Sequence, residues 1–255
     1  MKEISVEIDG RELKAQRGMT VLEVAKEAGI KIPTLCFHKA VSPLGACRLC
    51  TVEVIRNGRS RLVTACTYPV EQAIVVKTDS AKVKKTRKML IELLLARCPD
   101  VKIIQQLARD YGIEKPRLKK IKDEDCILCG LCTQVCQQRM GVSAINFVGR
   151  GVNRKVDFPF GRMWDECVAC GACTYVCPTG HIQNETHRVA QLKRQLGIHR
   201  KCRYMLMGAV SNKLCPNNYE CWRCEYEQRT EYRLGEHPVL ALKLAQRQGG
   251  QYMIK

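Results

Sequence analysis

Two cysteine-rich stretches organise this chain: CILCGLCTQVC over residues 126–136 and CVACGACTYVCP over residues 167–178. Each places four cysteines at the spacing C-x2-C-x2-C-x3-C. Three thiolates two residues apart lie on one tight loop and cap three irons of a cubane, which leaves the fourth iron to a distant cysteine. Gly130 and Gly171 keep side chains out of the loop where backbone N–H groups approach sulfur. The repeat predicts two 4Fe-4S clusters.

Structural zinc sites are the alternative for these eight cysteines, but zinc motifs pair two ligands at each end of a finger and do not need such a run. The runs resemble those of bacterial two-cluster ferredoxins, in which the fourth cysteine of each run binds the other cluster. Pro178 ends the second run as in that family, whereas Gln137 replaces the proline in the first. The resemblance implies two ligand sets: Cys126, Cys129, Cys132 and Cys177, and Cys136, Cys167, Cys170 and Cys173.

The N-terminal segment has the pattern of a small sheet with one helix. Alternating apolar residues over 4–8 and a return strand from Leu13 flank the turn Asp9-Gly10. Thr20 and Glu23 form a capping box for a helix over 21–28. A second hairpin, with strands over 51–55 and 61–65, turns at Asn57-Gly58, and a last strand covers 73–76. The pattern predicts a β-grasp domain.

A third set of cysteines follows the spacing C-x10-C-x2-C-x15-C: Cys36, Cys47, Cys50 and Cys66. Residues 18–72, including IPTLCFHKAVSPLGACRLCTVEV and LVTACTYPV, resemble the N-terminal 2Fe-2S domain of the large iron-sulfur subunit of respiratory complex I, which NAD-linked hydrogenases and formate dehydrogenases share. With the dicluster region, the resemblance covers about 180 residues. It implies one 2Fe-2S cluster on the third set. We therefore predict that His38 is a surface residue or lies beside the cluster, and is not a Rieske-type ligand.

The iron-sulfur subunit of succinate dehydrogenase or fumarate reductase is the nearest alternative, because it also pairs a 2Fe-2S domain with a ferredoxin-like domain. Its first cysteines have the plant-type spacing C-x4-C-x2-C. The ten residues between Cys36 and Cys47 argue against that assignment.

The pattern over residues 81–112 predicts two helices with a break at Cys98-Pro99. The apolar face of the first helix is predicted to consist of Met89, Leu90, Leu93 and Leu94. In the complex I family, this stretch carries a histidine and three cysteines for a further 4Fe-4S cluster. Here ARCPDVKIIQQLARDYGI retains only Cys98 and no histidine. We predict that this cluster is absent and that Cys98 is a buried free thiol.

A fourth set has the spacing C-x12-C-x5-C-x2-C: Cys202, Cys215, Cys221 and Cys224. It lacks the C-x2-C-x2-C loop, so zinc and a fourth iron-sulfur cluster both remain open, and the cysteines could also be free. Helices are predicted over 187–195 before this set and over 239–244 after it, the second as a docking helix. His237 is predicted to be structural.

The formal charge is +18, with 43 Lys and Arg against 25 Asp and Glu. An oxidised cluster with four thiolates carries about −2, so three clusters leave roughly +12. The basic stretches 82–88 and 115–122 are predicted to be solvated or to meet an acidic partner. A zinc or cluster protein that binds nucleic acid is the weaker interpretation. No apolar stretch reaches membrane-spanning length and no signal peptide is recognised, which predicts a cytoplasmic protein.

The sequence thus predicts an α+β chain in four parts: a 2Fe-2S ferredoxin-like β-grasp domain over 1–80, a helical linker over 81–118, a bacterial dicluster ferredoxin-like domain over 119–185, and a four-cysteine C-terminal module with a docking tail over 186–255. No nucleotide-binding motif is present, so no catalytic residues are predicted. Clusters accept single electrons, which predicts an electron-transfer subunit of a multi-subunit oxidoreductase.

The resemblance implies a flavin-containing NAD(P)H-oxidising partner on one side of this subunit. On the other side it implies a hydrogenase, a formate dehydrogenase or a ferredoxin-reducing module. Electron bifurcation and exchange with a soluble ferredoxin are compatible with that arrangement, and a free-standing ferredoxin is a further alternative.

Overall fold

A computed structural model describes residues 3–120, 124–161, 167–182, 189–194, 199–241, 247–248 and 251–252. The chain divides into two units. Residues 1–37 and 43–129 form the first unit, and residues 38–42 and 130–255 form the second. Among the described residues, no helix combines the length and the apolar character needed to cross a membrane. The ends of the helix predicted over 187–195 and the last residues of that predicted over 239–244 lie outside the described residues.

The first unit is built on a five-stranded mixed sheet in the order β2-β1-β5-β3-β4, in which β1 and β5 are parallel. Its elements are β1 (Glu3–Ile8), β2 (Arg11–Gln16), helix α1 (Val21–Glu27), β3 (Thr51–Arg56), β4 (Arg59–Thr64) and β5 (Ile74–Lys77). The predicted strands and helix are confirmed within one or two residues at each end.

Local sequence explains the two hairpins. Asp9 and Gly10 both have positive φ, as do Asn57 and Gly58, and two such residues in succession form the turn that matches the twist of a hairpin. Ile4, Val6 and Ile8 on β1 are all buried, so the alternation predicted from sequence gives the face of the sheet that packs in the core.

Helix α1 covers this face, and its start follows the predicted capping box. The Glu23 carboxylate accepts a hydrogen bond from the Thr20 N–H at 2.7 Å, and the Glu23 N–H donates to Thr20 Oγ1 at 3.3 Å. Val21 and Leu22 are completely buried in the core. Cys50 and Cys66 belong to the same core, so the loops that carry them are fixed by apolar packing.

Two helices complete the first unit: α2 (Ala81–Arg97) and α3 (Lys102–Asp110). The predicted break between them is confirmed, but the predicted apolar face of α2 is only partly correct. Leu90 and Leu94 pack in the core of this unit, whereas Met89 and Leu93 are 54% and 47% exposed. The fully enclosed row runs at intervals of four residues through Val83, Arg87 and Ile91, because this spacing keeps side chains on one face of a helix.

The second unit contains short elements separated by loops: α4 (Leu131–Gln138), β6 (Asn146–Val148), β7 (Lys155–Asp157), α5 (Ala172–Tyr175), α6 (Arg203–Leu206), α7 (Glu225–Leu234) and α8 (Pro238–Ala241), with two-residue strands β8 (Arg247–Gln248) and β9 (Gln251–Tyr252). Strands β6 and β7 pair, as do β8 and β9. Among the described residues, 3-10 turns cover Gly151–Asn153, Pro159–Gly161 and Cys221–Arg223.

Helix α8 is the described part of the predicted docking helix. Val239 and Leu240 are buried, and Arg139 at the end of α4 donates from Nη2 to the main-chain oxygen of Leu240 at 2.9 Å. The C-terminal part of the chain is therefore attached to the helix that carries the last two cysteines of the first run.

Candidate iron-sulfur sites

The four N-terminal cysteines lie together in the first unit. Cys36, Cys50 and Cys66 are buried, and Cys47 is half-buried. The Cys47 N–H donates to Cys36 Sγ at 3.3 Å, and the side chains of Cys50 and Cys66 share a hydrogen bond. The structure thus brings together the whole predicted set.

Hydrogen bonds join these four thiols in two pairs. Within each pair, the pKa of one thiol is lowered and that of the other is raised. The Cys36 thiol, as donor, lowers the pKa of Cys47 to about 6, and the Cys66 thiol lowers the pKa of Cys50 to about 7. The same hydrogen bonds, with burial, raise the pKa of Cys36 and of Cys66. Two thiolates are therefore available near neutral pH, and a thiolate is the form that binds a metal.

Main-chain N–H groups also point at these sulfurs. Cys47 Sγ accepts from the amides of Leu35 and Leu49, which further lower its pKa. Arg48, between Cys47 and Leu49 in the sequence, has φ of 60°, a conformation that a non-glycine residue adopts at a cost of about 1–3 kcal/mol. The turn at Arg48 brings the Leu49 N–H to the Cys47 sulfur.

The two dicluster loops have the same backbone. Leu128 and Ala169 lie two residues after the first cysteine of each run, and both have left-handed φ near 54°. Gly130 and Gly171 have φ of 78° and precede α4 and α5 directly. The repeat seen in the sequence is therefore also a repeat in conformation.

Four cysteines from both runs line one small cavity of about 30 Å³ in the second unit: Cys136, Cys167, Cys170 and Cys173. The other walls are apolar and include Val135, Met140 and Ile145. The Ala144 N–H donates to Cys136 Sγ at 3.2 Å. Burial raises the pKa of Cys173 well above its usual value, and the charges of Cys170 and Cys136 add to that effect. The structure therefore brings these four predicted ligands together.

The other predicted set is divided between the units, because Cys126 and Cys129 belong to the first unit and Cys132 and Cys177 to the second. Cys132 and Cys177 pack around the same apolar cluster. Burial opposes ionisation of Cys177, but the Thr179 hydroxyl, 3.5 Å from its Sγ, and nearby amides lower its pKa overall.

Cys98 is completely buried at the end of α2, as predicted. Burial raises its pKa to about 11, so the thiol remains protonated at neutral pH. Next to it, Arg97 donates from Nε to the main-chain oxygen of Cys126 at 2.8 Å and forms an ion pair with Glu124. Helix α2 therefore fixes the start of the first dicluster loop.

The C-terminal cysteines lie on adjoining short elements. The Cys202 N–H donates to the Lys213 main-chain oxygen at 2.8 Å, and the Cys215 N–H donates to the Arg200 oxygen at 2.7 Å, so these cysteines lie on paired segments. Cys221 begins a 3-10 turn and Cys224 precedes α7. In the part of the chain that the structure describes, no group of three Cys, His, Asp or Glu side chains is arranged to hold a single metal ion. The metal of this set remains a prediction.

The two histidines considered above have structural contacts. His38 is half-buried, and its Nδ1 accepts from the Ala40 N–H at 3.2 Å. His237 is buried, its Nδ1 accepts from the Val239 N–H at 3.2 Å, and its ring lies 5.4 Å from that of Tyr175. Burial lowers the pKa of His237 to about 4, which keeps it neutral.

Sequence reasoning missed Arg87 and Arg97, which contact the residues beside two cluster loops. Arg87 donates from Nη2 to the main-chain oxygen of Thr51, one residue after Cys50, at 2.8 Å. The sequence signal for burial of Arg87 was its position midway between Val83 and Ile91, four residues from each, because this spacing places side chains on one face of a helix.

Comparison with known families agrees with this geometry. The family described as "2Fe-2S iron-sulfur cluster binding domain" matches residues 1–81, and the "4Fe-4S dicluster domain" family matches residues 119–184. The chain carries both iron-sulfur domains. It is therefore a 2Fe-2S and 4Fe-4S protein of mixed α and β structure.

Its relatives are subunits of larger oxidoreductases. The NADPH-Fe(3+) oxidoreductase subunit alpha of Geobacter sulfurreducens is 35% identical over 60% of this chain and 21% of its own length. The mitochondrial NADH-ubiquinone oxidoreductase 78 kDa subunit of Candida albicans is 28% identical over 61% of this chain and 25% of its own. This chain thus spans a quarter or less of these relatives. The predicted resemblance to the large complex I subunit is confirmed.

A solved structure shares the fold over a similar range. A chain of the NAD+-reducing [NiFe]-hydrogenase in its H2-reduced state aligns with a TM-score of 0.53 and 28% identity, covering 61% of this chain and 74% of that one. The sequence analysis predicted similarity to a hydrogenase subunit, and this structural match confirms it.

Proposed function

We propose that this chain transfers single electrons within a multi-subunit oxidoreductase and has no catalytic site of its own. The proposed ligands of the 2Fe-2S cluster are Cys36, Cys47, Cys50 and Cys66. The proposed ligands of the two 4Fe-4S clusters are Cys126, Cys129, Cys132 and Cys177, and Cys136, Cys167, Cys170 and Cys173.

The observation that carries this proposal is the shared cavity of Cys136, Cys167, Cys170 and Cys173. Cys136 comes from the first run and the other three come from the second. This is the exchange of the fourth ligand that two-cluster ferredoxins use. An apolar cavity lined by four thiols suits a 4Fe-4S cubane, because its four irons need four ligands and soft thiolate donors favour iron-sulfur clusters.

The first unit supports a path between two of the clusters. One apolar cluster includes Leu35, Leu49 and Cys98, and both Cys47 and Ile127 pack against it. Cys47 is a proposed 2Fe-2S ligand, and Ile127 follows a proposed 4Fe-4S ligand. A packed apolar cluster therefore connects these two loops, which supports relay of electrons from the 2Fe-2S cluster to the first 4Fe-4S cluster.

The clusters, when bound, supply reversible one-electron transfer. The protein holds them in buried or half-buried sites and directs main-chain N–H groups at the thiolates, and these factors set the reduction potential. Main-chain amides donate to the sulfur of Cys47 in the first unit and to the sulfur of Cys136 in the second.

The partners in this proposal are those that the family resemblance implies. We infer that a flavin subunit oxidises NADH or NADPH and passes electrons to the 2Fe-2S cluster, and that a hydrogenase, formate dehydrogenase or ferredoxin-reducing module receives them. Bifurcation and exchange with a soluble ferredoxin belong to the same proposal, and the compartment proposed is the cytoplasm.

The proposed domain division is that expected from the sequence, over 1–80, 81–118, 119–185 and 186–255. The five-stranded sheet crossed by α1 supports the β-grasp assignment of the first domain. The contact of Arg139 with α8 supports a C-terminal module attached to the dicluster domain. For that module we propose either a structural zinc site or a fourth cluster.

Metal analysis of anaerobically purified protein tests the proposal. Iron, zinc and acid-labile sulfide would be measured per chain, and EPR spectra would be recorded after stepwise reduction. About ten irons with matching sulfide are expected for one 2Fe-2S and two 4Fe-4S clusters. One added zinc would make the C-terminal set structural, and about fourteen irons would make it a cluster. Zinc without labile sulfide would refute the electron-transfer function.

A further inference from the structure

Arg87 is a buried cation without a carboxylate partner among the described residues. It is 4% exposed in the middle of α2. Its Nη2 donates to the Thr51 main-chain oxygen at 2.8 Å and its Nη1 to the Tyr111 hydroxyl at 3.3 Å, while its Nε has no hydrogen-bond partner. Both acceptors are uncharged, so neither neutralises the guanidinium.

Arg203, which is also buried, and Arg97, which is half-buried, differ from Arg87 in this respect. Arg203 forms an ion pair with Glu227, and Arg97 forms one with Glu124. A charge removed from water is strongly unfavourable unless a counter-charge lies nearby. Arg87 therefore requires an anion that the described part of the chain does not supply.

The position of Arg87 identifies that anion. Thr51, which it contacts, directly follows Cys50, and these residues are only 4% and 1% exposed. A 2Fe-2S cluster with four thiolate ligands has a net charge of −2 when oxidised. We propose that Arg87 is the counter-charge of the 2Fe-2S cluster and raises its reduction potential, an inference that rests on the proposed function of the N-terminal cysteines.

The direction of the effect follows from the charges. Reduction adds one electron, converts one Fe(III) to Fe(II) and changes the cluster charge from −2 to −3, without a proton or a broken bond. A fixed positive charge stabilises the −3 state more than the −2 state. Because Arg87 and the loop are enclosed, salt and water screen this attraction only weakly. Arg87 is thus a positioning residue that also sets the potential.

An EPR-monitored redox titration of the full chain tests this inference. Arg87→Gln removes the charge but keeps a donor for the Thr51 oxygen, and Arg87→Met is a second neutral variant with an unbranched side chain. Arg87→Lys keeps the charge. Lys85→Met is the matched control, because Lys85 is an exposed cation on the same helix.

The neutral variants are expected to lower the equilibrium constant for one-electron reduction of the 2Fe-2S cluster about tenfold, which is 59 mV. Arg87→Lys and Lys85→Met are expected to stay within threefold of the wild type. If only the neutral variants lose the cluster, the counter-charge is needed for assembly and the proposal is supported.

An unchanged potential in a neutral variant that keeps its cluster would overturn the proposal, as would an equal loss in Arg87→Lys. If the wild-type chain contains no 2Fe-2S signal at all, the proposed function itself has failed. The two failures are therefore distinguishable in one set of samples.

Discussion

Arg97 donates a hydrogen bond from Nε to the main-chain oxygen of Cys126 at 2.8 Å. Arg97 ends α2, and the Glu124 carboxylate that pairs with it lies two residues before Cys126. One guanidinium therefore joins a packed helix to the first residue of a cluster loop. The loop has little regular structure of its own, so this contact restricts its conformations before any cluster is present.

Arg97→Met is expected to destabilise the folded conformation of this loop by about 1.5–3 kcal/mol, the usual contribution of a hydrogen bond that involves a charged group. The iron content after anaerobic purification should fall from about ten toward six per chain, because one 4Fe-4S cluster is lost first. Arg109→Met on α3 is the control, since the contact of Arg109 with Gln106 is exposed. Equal iron content in both variants would contradict this role of Arg97.

Cys98 is expected to be inert. Its folded pKa of about 11 lies above that of a free cysteine, near 8.5. The folded state therefore holds this proton more tightly, and the resulting stability is present below pH 8.5 and is lost as pH rises toward 11. Alkylation by iodoacetamide at pH 8, followed by mass spectrometry, should leave Cys98 unmodified in the native chain and modify it after denaturation.

The same residue provides a test of the missing complex I cluster. Cys98→Ala should leave iron and labile sulfide unchanged, because no further cluster is expected in this helical region. Its cost in stability should be about 1 kcal/mol, as expected for a small deletion in a packed core. Loss of about four irons would instead make Cys98 a ligand.

Sequence patterns predict structure correctly where the conformation depends on neighbouring residues. The Thr20 capping box and the Asn57-Gly58 turn follow from neighbouring residues, and both occur as predicted. The spacing that the two cysteine runs share is similarly accompanied by the same loop conformation at Leu128 and Ala169.

Long-range packing was harder to predict. Met89 belongs to an apolar-looking stretch but is exposed, whereas Arg87 is buried, because the partner surface decides which face of α2 is covered. No rule based on hydrophobicity places an arginine in a core. Its position depends on contacts with Thr51 and Tyr111, which are distant in sequence.

The buried ion pair between Arg203 and Glu227 connects α6 to α7 in the second unit. Arg203→Met should destabilise the chain by about 3–5 kcal/mol, because it leaves a buried carboxylate without its partner. The double variant Arg203→Met, Glu227→Leu should recover most of that loss. Thermal unfolding of the three proteins measures the coupling, and additive effects would show that the pair is unimportant.

Exchange of the fourth cysteine can be tested by counting irons in alanine variants. If Cys136 shares a cluster with Cys167, each single variant should contain about six irons instead of ten, and the double variant should also contain about six. Cys126→Ala combined with Cys136→Ala should contain about two, because these residues serve different clusters. The reverse pattern, with about two irons in Cys136→Ala, Cys167→Ala and about six in Cys126→Ala, Cys136→Ala, would mean that each run holds its own cluster. The cavity shared by Cys136 and Cys167 favours the exchanged arrangement.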